Sequence, residues 1–245
     1  MRATPSILLL SLIMATPVSA VEDYDSCLAL VEADPEAAER EAGDWARYGG
    51  GGAGARHCYA LALLAIGAEG RAIDELIGAA LEEPGLADDA RADLLVQAGE
   101  LLIEVEDFVT AAIVAEQALR LAPRGAAVLG LRGAVKVANG DVAAGIRDLG
   151  QAMDEGGADP RWLLRRAAAY RLRGELVAAR DDAKFAVELA PGDPAVWLEQ
   201  GRIEGGLGET ANARQSLLMA IELDRSGRVG RAAQVALQRM EAGIQ

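Results

Sequence analysis

The chain is short of the side chains on which most catalysis depends. Its 245 residues include one His, two Cys and 4% aromatics, and the only lysines are Lys136 and Lys184. A single His leaves Ser-His-Asp constellations and His-rich metal sites with almost nothing to build on. The 24 Lys plus Arg against 38 Asp plus Glu give a formal charge of −14. That balance disfavours a nucleic-acid partner, because phosphate affinity depends on clustered cations that release counterions. The expectation is a protein with no catalytic residues, no cofactor and no metal. What is abundant is small and aliphatic: 51% of the chain is hydrophobic, enough for a sizeable core.

Residues 1–20 have the layout of a secretory signal peptide. Arg2 supplies the positive start, Ile7 to Met14 form a brief apolar run, and Val18 and Ala20 put small residues at the −3 and −1 positions before Val21. The run is far shorter than the ~20 residues that cross a bilayer, so cleavage after Ala20 is favoured over retention as an anchor. The mature chain is then periplasmic or secreted. In an oxidising compartment Cys27 and Cys58 are expected to pair, since their spacing fits neither a CxxC redox motif nor a zinc ligand set. A metal site of Cys27, His57 and Cys58 is disfavoured, because adjacent ligands on a helix point in different directions.

The rest of the chain repeats itself every 34 residues. The unit 194–227 carries Gly201, Gly208, Ala213, Ala220 and Leu223, and 160–193 carries Ala167, Gly174, Ala179, Ala186 and Leu189 at the same positions. The unit 126–159 has Gly133, Gly140, Gly145 and Ala152, and 92–125 has Gly99, Ala111, Ala118 and Leu121. Upstream, 53–86 fits once an insertion at 87–91 is allowed, and 21–52 is a degenerate first copy with Trp45 where the others have Ala. Apolar residues recur at three- and four-residue spacing, Pro123, Pro160, Pro191 and Pro194 fall between units, and nothing alternates as a strand does. The segment 228–245 reads as an amphipathic capping helix, with Val229, Ala232, Ala233, Ala236, Leu237 and Met240 on one face.

These positions resemble the tetratricopeptide repeat, and the resemblance covers nearly the whole mature chain. It implies an all-α, right-handed solenoid of about six helix pairs with a C-terminal capping helix. A small residue at the eighth and twentieth positions of each unit lets two antiparallel helices approach closely. The departure from the family is its missing aromatics, of which Tyr170 alone occupies the usual place.

The resemblance also implies a concave groove, lined by fixed positions of each first helix, that holds a segment of a partner protein. Carried over, those positions give Asp93, Gln97 and Glu100, then Leu131 and Val137, then Arg161, Arg165, Arg171 and Arg202. The groove is expected to run from acidic through apolar to basic, with the Arg residues gripping acidic groups of a peptide. The same mapping faces Cys27 and Cys58 into the groove from neighbouring helices, which makes a bridge feasible.

Two local features carry less. The run Gly49 to Gly54 lacks the Lys-Ser or Lys-Thr of a phosphate-binding loop and reads as a flexible connection. Acidic pairs such as Asp181-Asp182 read as a solvated face. The expected function is a non-catalytic scaffold or assembly factor in the bacterial periplasm. The alternative is an accessory subunit of a cell-envelope or peptidoglycan-linked enzyme. Neither partner nor pathway is written in the sequence.

Overall fold

The computed structural model describes residues 21–243, so the expected signal peptide lies outside the described residues. Thirteen helices follow one another: α1 (Tyr24–Ala33), α2 (Pro35–Tyr48), α3 (Gly52–Ala65), α4 (Glu69–Glu82), α5 (Asp88–Glu104), α6 (Phe108–Leu121), α7 (Ala126–Ala138), α8 (Val142–Gly156), α9 (Pro160–Leu172), α10 (Leu176–Leu189), α11 (Pro194–Gly206), α12 (Thr210–Leu223) and α13 (Arg228–Glu241). They stack as six antiparallel pairs and a final helix, an all-α solenoid with no strand among the described residues.

Local chemistry places the helix ends. Asp23, Asp34, Asp107, Asp141, Asp159 and Asp193 each cap a helix by accepting a backbone N–H of its first turn. Pro35, Pro160 and Pro194 open α2, α9 and α11, where a missing N–H costs nothing. Within a unit the turn between helices is left-handed at Gly67, Gly140, Gly174 and Gly208. The corresponding residue of the third unit is Glu106, which takes φ 62° despite its side chain.

The core is a succession of thin layers rather than one thick mass. Buried residues fall into five clusters along the stack, and most of their members are Ala, Leu and Val. Helices α7 and α8 approach closely: a Cβ on Gly133 would come 3.0 Å from the Gly145 carbonyl oxygen. Gly133 and Gly145 stand at the eighth and twentieth positions of their unit, so the small residues sit where the two helices touch.

The insertion expected at 87–91 leads into α5: Asp88 to Arg91 form the first turn of this 17-residue helix. Two expectations change. The run Gly49 to Gly54 is only in part a connection: Gly52 to Gly54 begin α3, and a side chain on Gly49 or Gly51 would strike the Trp45 indole, so the turn packs against α2. Asp182 is not part of a solvated face. It is 8% exposed and accepts two hydrogen bonds from Arg166, at 2.7 and 2.8 Å.

Candidate functional site: the inner face and its C-terminal groove

The first helices of successive units touch, α5 with α7, α7 with α9 and α9 with α11, whereas the second helices make no comparable contact with one another. The stack therefore curves with its first helices inside, and their outward positions form the inner face. No helix among the described residues is long and apolar enough to cross a membrane, and no group of acidic, His or Cys side chains there could hold a metal.

At the N-terminal end a disulfide joins Cys27 of α1 to Cys58 of α3, both fully buried, with Cα atoms 6.3 Å apart. Beside it a cleft of about 280 Å³ opens between α3 and α5, bordered by Tyr24, His57, Asp93 and Gln97. The His57 ring stacks on Tyr24, and its Nδ1 lies 2.6 Å from the Tyr24 hydroxyl. Its Nε2 lies 2.8 Å from Gln97 Oε1. Burial pushes the Tyr24 phenol up, and the His57 ring links Tyr24 to Gln97, the direction of each bond following the tautomer of the ring. Gln97 is thus committed to an internal network, and Asp93 remains exposed at the rim.

In the middle the face is closed by its own side chains. Arg165 of α9 pairs with both carboxylate oxygens of Glu100 on α5, passing over α7. Leu131 of α7 is fully buried against Gly99 and offers nothing to a partner. Val137 turns towards Gly145 of α8. Of the expected apolar pair, Leu131 is therefore internal packing, because a small neighbour lets its side chain sink between the helices, whereas Val137 stays half-buried. Arg161 is paired as well, although its side chain stays exposed. It holds Asp159, the residue capping its own helix, through two oxygens, and although burial pushes the Asp159 carboxyl up, those bonds outweigh it and lower its pKa.

At the C-terminal end the balance differs. Arg171 donates to both oxygens of Glu199, at 2.5 and 3.3 Å, and Arg202 approaches the same buried carboxylate at 3.6 Å. One carboxylate thus serves two guanidiniums. Next to them an open groove of about 610 Å³ lies between α11 and α13. Arg171, Arg202 and Arg239 border it, and Leu217, Ala232 and Ala236 form its apolar side. Among the described residues no carboxylate pairs with Arg239, since neighbouring Glu241 is taken by Arg214.

The structure so distributes the nine groove residues expected from sequence into three separate places. Arg171 and Arg202 come together at the C-terminal end, Glu100 and Arg165 neutralise each other in the middle, where Leu131, Val137 and Arg161 also lie, and Asp93 and Gln97 belong to the N-terminal cleft. Arg239 and the glycine-rich end of α11 were missed. The only sequence signal for Arg239 is its place beside Met240, on the border between the apolar and polar faces of α13.

No family model matches the chain, and no curated protein matches it in sequence. Solved structures do. A chain of the Cut9-Hcn1 hetero-tetramer of the APC/C superposes with a TM-score of 0.72 at 15% identity, over 89% of this chain and 43% of that one. The present chain thus spans less than half of that relative. A thermophilic TPR protein of Thermus thermophilus gives a TM-score of 0.62 at 16% identity, over 76% and 97% of the two chains. MamA of Desulfovibrio magneticus RS-1 gives 0.53 at 22%, over 72% and 97%.

Proposed function

From a tetratricopeptide-repeat fold with one open, charged stretch of inner face, we propose that this protein is a non-catalytic scaffold or assembly factor that holds a segment of a partner protein. The carrying observation is the groove beside α13. It joins guanidiniums that are not fully neutralised to accessible apolar surface. Its volume lies in the range of about 300–1,000 Å³ usual for ligand sites. The Cut9-Hcn1 assembly is consistent with such a role, as one of its chains has this fold and works beside a second protein.

The periplasm of a bacterium is the proposed compartment. The buried disulfide suits an oxidising space. Val21, the residue after the expected cleavage point, is itself packed into the core. Chain export is checked by the intact mass of the protein recovered from its native envelope, which should correspond to a start at Val21.

Partner binding is tested by placing a photo-crosslinking residue at Val235, on the groove, or at Val109 of α6, 73% exposed on a second helix. A protein adduct in envelope fractions is expected from Val235 and not from Val109. Adducts from Val109 alone, or from neither position, would overturn the reading.

A further inference from the structure

Resting on that reading, we propose that the groove between α11 and α13 is the docking site for an acidic segment of the partner. Arg202 and Arg239 hold its carboxylates, and Val235, Ala232 and Ala236 receive its apolar side chains.

The cations of the first helices differ in how fully they are neutralised. Arg161, Arg165 and Arg166 each meet a carboxylate of their own, and Arg132 shares Asp148 with Lys136. No ion pair among the described residues engages Arg225, Arg228, Arg231 or Arg239; Arg40, Arg120, Arg147 and Lys184 also have none, but they lie on the second helices α2, α6, α8 and α10, away from the inner face. Arg171 and Arg202 share Glu199, which leaves one positive charge over. In a protein of charge −14, the lining of this groove holds Arg171, Arg202 and Arg239 and no carboxylate. Exposed carboxylates more than about 8 Å away, the Debye length at physiological salt, are largely screened from these guanidiniums.

The shape suits a peptide. Val235 is 48% exposed on the α13 side. Opposite it, Gly205, Gly206 and Gly208 leave the end of α11 without bulk, so a backbone can come close. Guanidiniums present planar pairs of N–H groups that match carboxylates, and Arg clusters recur in the recognition of acidic motifs.

The test is fluorescence anisotropy with two short fluorescein-labelled probes. One is a peptide of Glu, Asp and Leu in mixed order, and the other has Lys in place of each acidic residue. The acidic probe should bind, weaken as salt rises, and lose affinity on the order of tenfold in Arg239→Glu. Val235→Glu should weaken it as well, adding a negative charge while keeping every Arg. Circular dichroism confirms that both variants remain helical. Equal binding of the two probes, no binding of the acidic one, or indifference to both substitutions would overturn the assignment. If light scattering shows a dimer that Arg239→Glu disperses, the occupant is a second copy and the assignment also falls. Should Val235 crosslink a partner while the acidic probe fails to bind, the scaffold reading stands and the acidic-segment assignment alone is lost.

Discussion

Glu106 shows how one residue can depart from a repeat and remain in register. Its N–H reaches the Ile103 carbonyl as that of Gly140 reaches Val137, so the turn is the same with or without a side chain. The left-handed conformation costs a residue with a Cβ roughly 1–2 kcal/mol. Glu106→Gly should therefore stabilise the chain by about 1 kcal/mol, read as a higher urea midpoint, and a lower midpoint would contradict the strain. Asp148 is a second telling residue. Burial pushes its carboxyl up, but hydrogen bonds from Arg132 and Lys136 more than compensate and its pKa is lowered. A carboxylate with a lowered folded pKa contributes stability above about pH 4 that is lost as pH falls through the folded value. Asp148→Asn should cost about 2 kcal/mol at neutral pH and flatten the acid limb of the stability profile. An acid limb identical to that of the parent would remove Asp148 from the account.

Between helices, the repeat reuses a device that no short motif displays. Arg132 with Asp148 and Arg166 with Asp182 occupy the seventh and twenty-third positions of consecutive units, each joined by two hydrogen bonds. In the sixth unit those positions are Gln200 and Ser216, which bind Glu204 instead, and in the third they are Ala98 and Val114, both buried apolar contacts. The partners lie on facing helices with a turn between them. A reading of adjacent residues therefore takes Asp182 for part of a surface pair. The disulfide is likewise a link between helices, closing a sequence separation of 31 residues. Replacing both Cys by Ser should lower stability by about 3–4 kcal/mol in the chain-entropy model, and native oxidised protein should show no free thiol. Two titratable thiols, or an unchanged unfolding midpoint in the double variant, would count against the bridge. At Gly133 the helices are so close that Gly133→Ala should cost about 1–3 kcal/mol through displacement of Leu149 and the α8 backbone.

At the scale of the molecule, Glu100 and Arg165 brace units two apart across the inner face. In a solenoid each unit otherwise contacts only its neighbours, so a link that skips one restrains curvature directly. Replacing both residues by Ala should leave helicity intact and enlarge the radius of gyration seen by small-angle scattering. An unchanged radius would show that packing alone sets the curve. The brace also alters the choice of binding variants. Reversing Arg165 and Arg171 would set like charges against Glu100 and buried Glu199 and disturb the fold, whereas Arg239 can be reversed without breaking an ion pair of the described residues.

The 34-residue spacing of small residues determined by itself that the chain would fold as stacked helix pairs, because close helix contact tolerates only Gly or Ala and recurs wherever the unit recurs. It also placed the capping helix, whose apolar stripe at Val229, Ala232, Ala236, Leu237 and Met240 packs against the last repeat. Which Arg residues remain available was decided only in three dimensions. Charge cancellation depends on distance through space: Glu100 and Arg165 are 65 residues apart and meet only because the stack curves. The sequence thus announced a groove of nine residues, and the fold neutralised or buried much of it and moved the open, cationic part to α11 and α13.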